Sequence, residues 1–106
     1  MAMLKFELPN PLPLDEARPR VEALVAYWQR KYGVRATWDG PRAHVTGKTM
    51  GVTIEARLEI AAGKILGEAT DPGLLLRGQA QKYLQRKFAQ YLDGAKTLAQ
   101  LLAAET

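Results

Sequence analysis

At 106 residues, 47% apolar and 25% charged, the chain has the size and composition of one globular domain able to bury its own core. It contains no cysteine, which excludes a disulfide framework and a thiolate metal site. The net charge of +4 is concentrated: Arg77, Lys82, Arg86, Lys87 and Lys96 are set against a single acid, Asp93, while the rest of the chain balances ten bases with ten acids. A basic segment of this kind points toward an anionic partner or surface. No apolar run is long enough for a membrane span and no signal-peptide pattern opens the chain, so a cytoplasmic protein is expected.

Leu4, Phe6 and Leu8 alternate with Lys5 and Glu7, predicting a short first strand. It ends at Pro9-Asn10-Pro11-Leu12-Pro13, because proline cannot continue a hydrogen-bonded ladder. A helix follows with Asp15 as its N-cap and Pro19 in the first turn, where missing donors cost little. Ala17, Val21, Leu24, Val25, Trp28 and Tyr32 form one apolar stripe along it. Arg30 and Lys31 suit its C-terminal dipole, and Gly33 can take the left-handed position that closes it.

Val34, Ala36 and Trp38 alternate into the hairpin signal Asp39-Gly40, and Ala43 and Val45 alternate out of it. Gly47 to Gly51 is read as the next reversal. The central strand is Gly51 to Ile60, where Val52, Ile54, Ala56, Leu58 and Ile60 alternate with Thr53, Glu55, Arg57 and Glu59. Burying its four large apolar side chains contributes roughly 6–12 kcal/mol, an upper bound because unfolded chains are partly compact. Ala61 to Lys64 is a hairpin loop with Gly63 at positive φ. In the strand from Ile65 to Thr70, Gly67 and Ala69 are taken as the inward set, small enough for a helix to approach.

After the turn Asp71-Pro72-Gly73, a long last helix places Leu76, Ala80, Tyr83, Leu84, Phe88, Tyr91 and Ala95 on one face and Lys82, Arg86, Asp93 and Lys96 on the other. Gly94 can interrupt it. If it continues, Leu98, Ala99 and Leu102 extend the stripe beyond the sheet, and that apolar overhang calls for a partner such as a second copy of the chain. The order β-α-β-β-β-β-α gives an α+β fold: a curved antiparallel sheet of about five strands with two helices on one face, helix-grip-like. The whole chain, 1–106, is one domain, with 95–106 a helical extension or tail.

Motifs that carry chemistry are scarce. Gly47-Lys48-Thr49 is not a phosphate loop, because the spacing from Gly40 is wrong and a strand follows instead of a helix. His44, the single histidine, lies on an outward strand face with no carboxylates grouped around it, so it reads as a solvated imidazole. Glu55 and Glu59 flank Arg57, the pattern of cross-strand charge pairing. The chain has no serine, and no catalytic residue, metal ligand or cofactor is expected. Lys87 falls inside the apolar stripe: either it faces a cleft together with Trp28, Trp38 and Tyr83, or it packs its stem and reaches water. The candidate binding surface is the basic helix face of Arg77, Lys82, Arg86 and Lys96.

Ala17-Arg18 leading into Val21-Glu22, Trp38-Asp39-Gly40, Gly51-Val52 before Leu58-Glu59-Ile60, and Leu74-Leu75-Leu76 opening a basic helix occur together. In these features, from about Leu14 to Tyr91, the chain resembles the polyhydroxyalkanoic acid system family, small bacterial proteins grouped with polyester storage granules. The resemblance implies a non-enzymatic, cytoplasmic, granule-associated role and supplies no catalytic residues. The partner it implies is the granule surface or its proteins, contacted through the basic, amphipathic last helix. Two other functions fit the residues: an RNA or ribosome binder, disfavoured by the lack of an aromatic stacking platform, and a helix-grip carrier of a small ligand.

Overall fold

The computed structural model describes residues 3–49, 52–70 and 77–104. In chain order its elements are β1 (Met3–Pro9), α1 (Leu14–Tyr32), β2 (Arg35–Asp39), β3 (Arg42–Thr49), β4 (Val52–Ala61), β5 (Lys64–Thr70), α2 (Arg77–Tyr91) and α3 (Leu98–Ala104). The five strands form one antiparallel sheet in the order β1-β5-β4-β3-β2, with the alternating strand β4 at its centre. β1, whose place alternation alone leaves open, pairs with β5 from Met3↔Thr70 to Pro9↔Lys64.

One face of this sheet is apolar because the registers bring the inward sets of all five strands into line. Trp38, Ala43, Leu58, Gly67 and Phe6 make a single cross-strand row, large and small by turns. The inward set of β5 is the expected one, but its cause differs. The Phe6 ring of the adjacent strand, and not a helix, occupies the space where a Cβ on Gly67 would lie. Leu58 and Ile60 are buried as their alternation requires, whereas Ile54 is half-buried because it walls a cleft.

The helices cover this face. Ala17, Val21, Leu24 and Val25 of α1 are at most 1% exposed and share the core with Phe88 and Tyr91 of α2. α1 begins two residues earlier than the Asp15 cap implies. Pro13 is its N-cap, with no side-chain bond, and the Pro13 carbonyl accepts from the amides of Glu16 and Ala17. The fixed φ of proline sets the entry, and Asp15 and Glu16 contribute charge at the dipole's positive end. Gly33 closes the helix at φ 70 in the left-handed region. The connector before α1 is pinned by Asn10, buried at 4% exposure, whose side chain donates to the Ala61 carbonyl and accepts from the Leu12 amide.

Gly47 is not in a turn, because β3 runs on to Thr49 and pairs Gly47 with Ile54. Its lack of a Cβ seats Val34, whose Cα would lie 2.9 Å from one. Met50 and Gly51, the remainder of the expected Gly47–Gly51 reversal, and the expected Asp71-Pro72-Gly73 turn with Leu74, Leu75 and Leu76 lie outside the described residues.

Of the two courses open to the last helix, the interrupted one is found, and the run through to Leu102 is not formed. α2 stops at Tyr91, and Arg20 of α1 donates from Nη1 to the Tyr91 and Asp93 carbonyls (3.2 and 2.8 Å) and from Nη2 to that of Lys96 (2.6 Å). These acceptors lie where a helix end leaves carbonyls without partners. Thr97 and Gln100 then cap α3 reciprocally: the Gln100 amide donates to Thr97 Oγ1 at 3.1 Å and the Thr97 amide to Gln100 Oε1 at 2.8 Å. α3 folds back against α1 and α2, burying Leu101. Ala95 is exposed in the connecting turn, and the uninterrupted overhang that called for a second copy is not formed; Leu102 remains exposed.

Candidate functional site

The basic residues of the last segment do not form one face. Lys82 and Arg86 project from α2 and are exposed, while Arg77 opens the helix with its side chain outside the description. Lys96 sits in the turn beyond α2, exposed, with its carbonyl held by Arg20. No acid occurs within Arg77–Tyr91, so α2 presents uncompensated positive sequence on its outer side. Its inner side is already committed to the core through Phe88 and Tyr91.

The proposed cleft residues separate into two groups. Trp28 and Tyr83 meet, the indole Nε1 donating to the phenol oxygen at 3.1 Å, and Trp28 also stands edge-on to Phe88 with ring centres 6.1 Å apart. Trp38 lies elsewhere on the same sheet face, under the Arg18 guanidinium at 5.0 Å from the start of α1. Lys87 is half-buried with its ammonium 4.8 Å from the centre of the Tyr27 ring. Neither Trp38 nor Lys87 lines the space that Trp28 and Tyr83 border.

That space is a cleft of about 250 Å3 between the sheet, the end of α1 and the middle of α2. Val34, Val45, Ile54 and Ala69 contribute its sheet side, and Trp28, Tyr32, Tyr83 and Leu84 its helical side. Among the described residues no charged side chain lines it. Its aromatic end reaches the surface, since Tyr32 is 37% exposed and Tyr83 half-buried. Burial holds the Tyr83 phenol well above the ordinary tyrosine value; the bond from Trp28 opposes this, and the phenols of Tyr32 and Tyr27 reinforce it. Tyr83 is therefore a neutral hydroxyl at physiological pH.

Positive charge gathers around this aromatic end. The Arg86 guanidinium lies 5.8 Å from the Tyr83 ring centre, and the Lys31 ammonium 5.6 Å from that of Tyr32. Position along the two helices decides this grouping. The stripe periodicity shows which residues face inward but not which ends of α1 and α2 come together. Tyr32, which the sequence places on the α1 stripe but not in the site, could have been found by asking which aromatic ends that stripe beside Arg30 and Lys31.

A larger depression, about 800 Å3, lies on the outward face of the sheet and is bordered by Lys5, Glu7, His44, Arg57, Glu59 and Glu68. Its charges are of both signs, and some are paired on the strand that carries Glu55, Arg57 and Glu59. Arg42 pairs with Glu59 at 2.7 Å, and Glu55 lies 3.3 Å from Arg57 and 3.7 Å from exposed His44. Among the described residues no group of three or more histidine, aspartate or glutamate side chains is placed to hold a metal ion. No described helix is long and apolar enough to cross a membrane.

These features define a small α+β domain: a five-stranded antiparallel sheet covered on one face by helices, with an apolar cleft between the two layers. The family model for polyhydroxyalkanoic acid system proteins matches residues 4–95, and the chain belongs to that family. The match takes in β1 as well as the Leu14–Tyr91 region where the sequence features lie. No curated protein and no solved structure matches the chain.

Proposed function

We propose that this chain is a non-enzymatic, cytoplasmic protein that associates with polyhydroxyalkanoate granules through the exposed basic side of α2. The observation that supports the reading is α2 itself, with Lys82 and Arg86 exposed and no acid in the helix. Membership in a polyhydroxyalkanoic acid system family supplies the setting. Because Phe88 and Tyr91 are buried in the core, α2 offers the granule surface or its coat proteins cations and not an apolar stripe. Such contact is electrostatic and weakens as salt rises. Fractionation of polyester-producing cells tests it: the protein is expected with the granules at low salt and released at high salt. Recovery only in the soluble pool, with granule number unchanged on deletion, rejects it.

RNA would meet the same cations. The outward strand residues described include no Phe, Tyr or Trp to stack bases, which counts against a single-strand platform. Steeply salt-dependent RNA binding with no granule association would replace the granule reading. A second reading, a small-ligand carrier of the helix-grip type, is favoured by one observation, the apolar cleft between helices and sheet.

A further inference from the structure

The cleft and the charges at its mouth together specify a ligand more narrowly than either does alone. Its floor and walls are aliphatic or aromatic, so a polar group placed deep inside would lose its water without gaining a partner. Its volume of about 250 Å3 exceeds the ~150 Å3 at which an engineered apolar cavity takes up benzene. It has room for roughly eight carbon-sized groups at the ~30 Å3 that a water-sized group occupies in a liquid. Small side chains along one wall, Ala56 and Ala69, leave a slot and not a round pocket. The surface end is different in kind. Trp28, Tyr32 and Tyr83 close it with polar tips, and Arg86 and Lys31 set positive charge over two of those rings. An apolar slot ending at an aromatic, cationic mouth matches a molecule with one apolar tail and one anionic head.

We infer that the cleft binds a single unbranched alkyl carboxylate of medium length, its tail along Val45, Ile54 and Ala69 and its carboxylate at the mouth beside Arg86. The inference rests on the ligand-carrier reading and is independent of granule association. Tail burial supplies the affinity, and the guanidinium, which can pair a carboxylate through two parallel hydrogen bonds, selects the head group.

Trp28 reports on the site directly. Trp38 lies outside the cleft, so Trp38→Phe leaves a single tryptophan whose emission follows occupancy. In that background, decanoate kept below its micelle concentration is expected to change Trp28 emission saturably and to raise the melting temperature. Butyrate is expected to bind at least about tenfold more weakly, since each buried methylene adds to affinity, and decyltrimethylammonium not at all. Arg86→Gln is expected to weaken decanoate about fivefold, the scale of a partly exposed charge contact, and to leave decanol unaffected. Ala69→Leu is expected to abolish the response. Ala56→Val, a smaller intrusion, provides the same test with less demand on folding. Equal binding of decanol and decanoate would overturn the carboxylate assignment while leaving a ligand cleft. No saturable response to either, or a response to anionic phospholipid vesicles alone, would overturn the cleft as a ligand site.

Discussion

The outward face of the sheet holds about 800 Å3 of open space and the helix-covered face about 250 Å3, and the two are built from alternate residues of the same strands. On β4, Glu55, Arg57 and Glu59 point one way and Ile54, Ala56 and Leu58 the other. The larger space is lined by charged side chains of both signs, Arg42 among them paired with Glu59. The smaller is lined, among the described residues, by aliphatic and aromatic side chains whose polar tips gather at one end, beside Arg86 and Lys31. Room alone therefore does not mark a ligand site in this protein. The chemical difference between wall and rim is what distinguishes the smaller space.

The comparison breaks most visibly at Leu58. Leu58→Ala is expected to destabilise by about 2–5 kcal/mol in chemical denaturation, because Leu58 is buried in the core. Gly67→Ala comes next, at about 1–3 kcal/mol, because the new methyl meets the Phe6 ring. If that overlap is the cause, adding Phe6→Leu recovers part of the loss, whereas a backbone cause would leave the two effects additive.

Arg20→Ala sharpens the account of the helical layer. Removing a cation from three carbonyls is expected to cost about 1–3 kcal/mol and to speed amide exchange in α3 more than in the sheet. Uniform exchange would show that the clamp does not hold α3 in place. Tyr83→Phe acts through pH. The folded state keeps the phenol neutral above its unfolded value, so that stabilisation is complete below about pH 10 and is lost as pH rises through the higher folded value. The melting temperature of the wild type is expected to fall more steeply than that of Tyr83→Phe above about pH 10. Parallel curves would contradict the burial of that hydroxyl. On the outward face, Glu59→Gln is expected to change stability by less than about 1 kcal/mol, since Arg42 is largely exposed.

Much of the sheet was legible in the sequence because its signals are local. Period-two alternation identified the core sides of β1 to β4, and Asp39-Gly40 and Gly63 marked two hairpins that the structure contains at φ 57 for Gly40 and φ 79 for Gly63. The place of β1 was not legible, since its partner β5 lies more than fifty residues away and no local rule selects it. Gly94 signalled a break in the last helix, but the apolar spacing that runs on through Ala95, Leu98 and Leu102 left the uninterrupted course equally open. The reciprocal cap of Thr97 and Gln100 was the local signal that could have shown the restart. The cleft was half legible. Periodicity put Trp28, Trp38, Tyr83 and Lys87 on inward or near-inward faces, but only the way the helices lie along the sheet separates Trp28 and Tyr83 from the other two.

Charge reversal on α2 separates attachment through its cations from any other route to the granule. Lys82→Glu with Arg86→Glu alters two exposed side chains, so the fold is expected to persist, as circular dichroism would verify. Granules isolated from cells making polyester should then retain the wild-type protein and lose the doubly reversed one to the supernatant. Equal retention of both on the granules would contradict attachment through the basic side of α2.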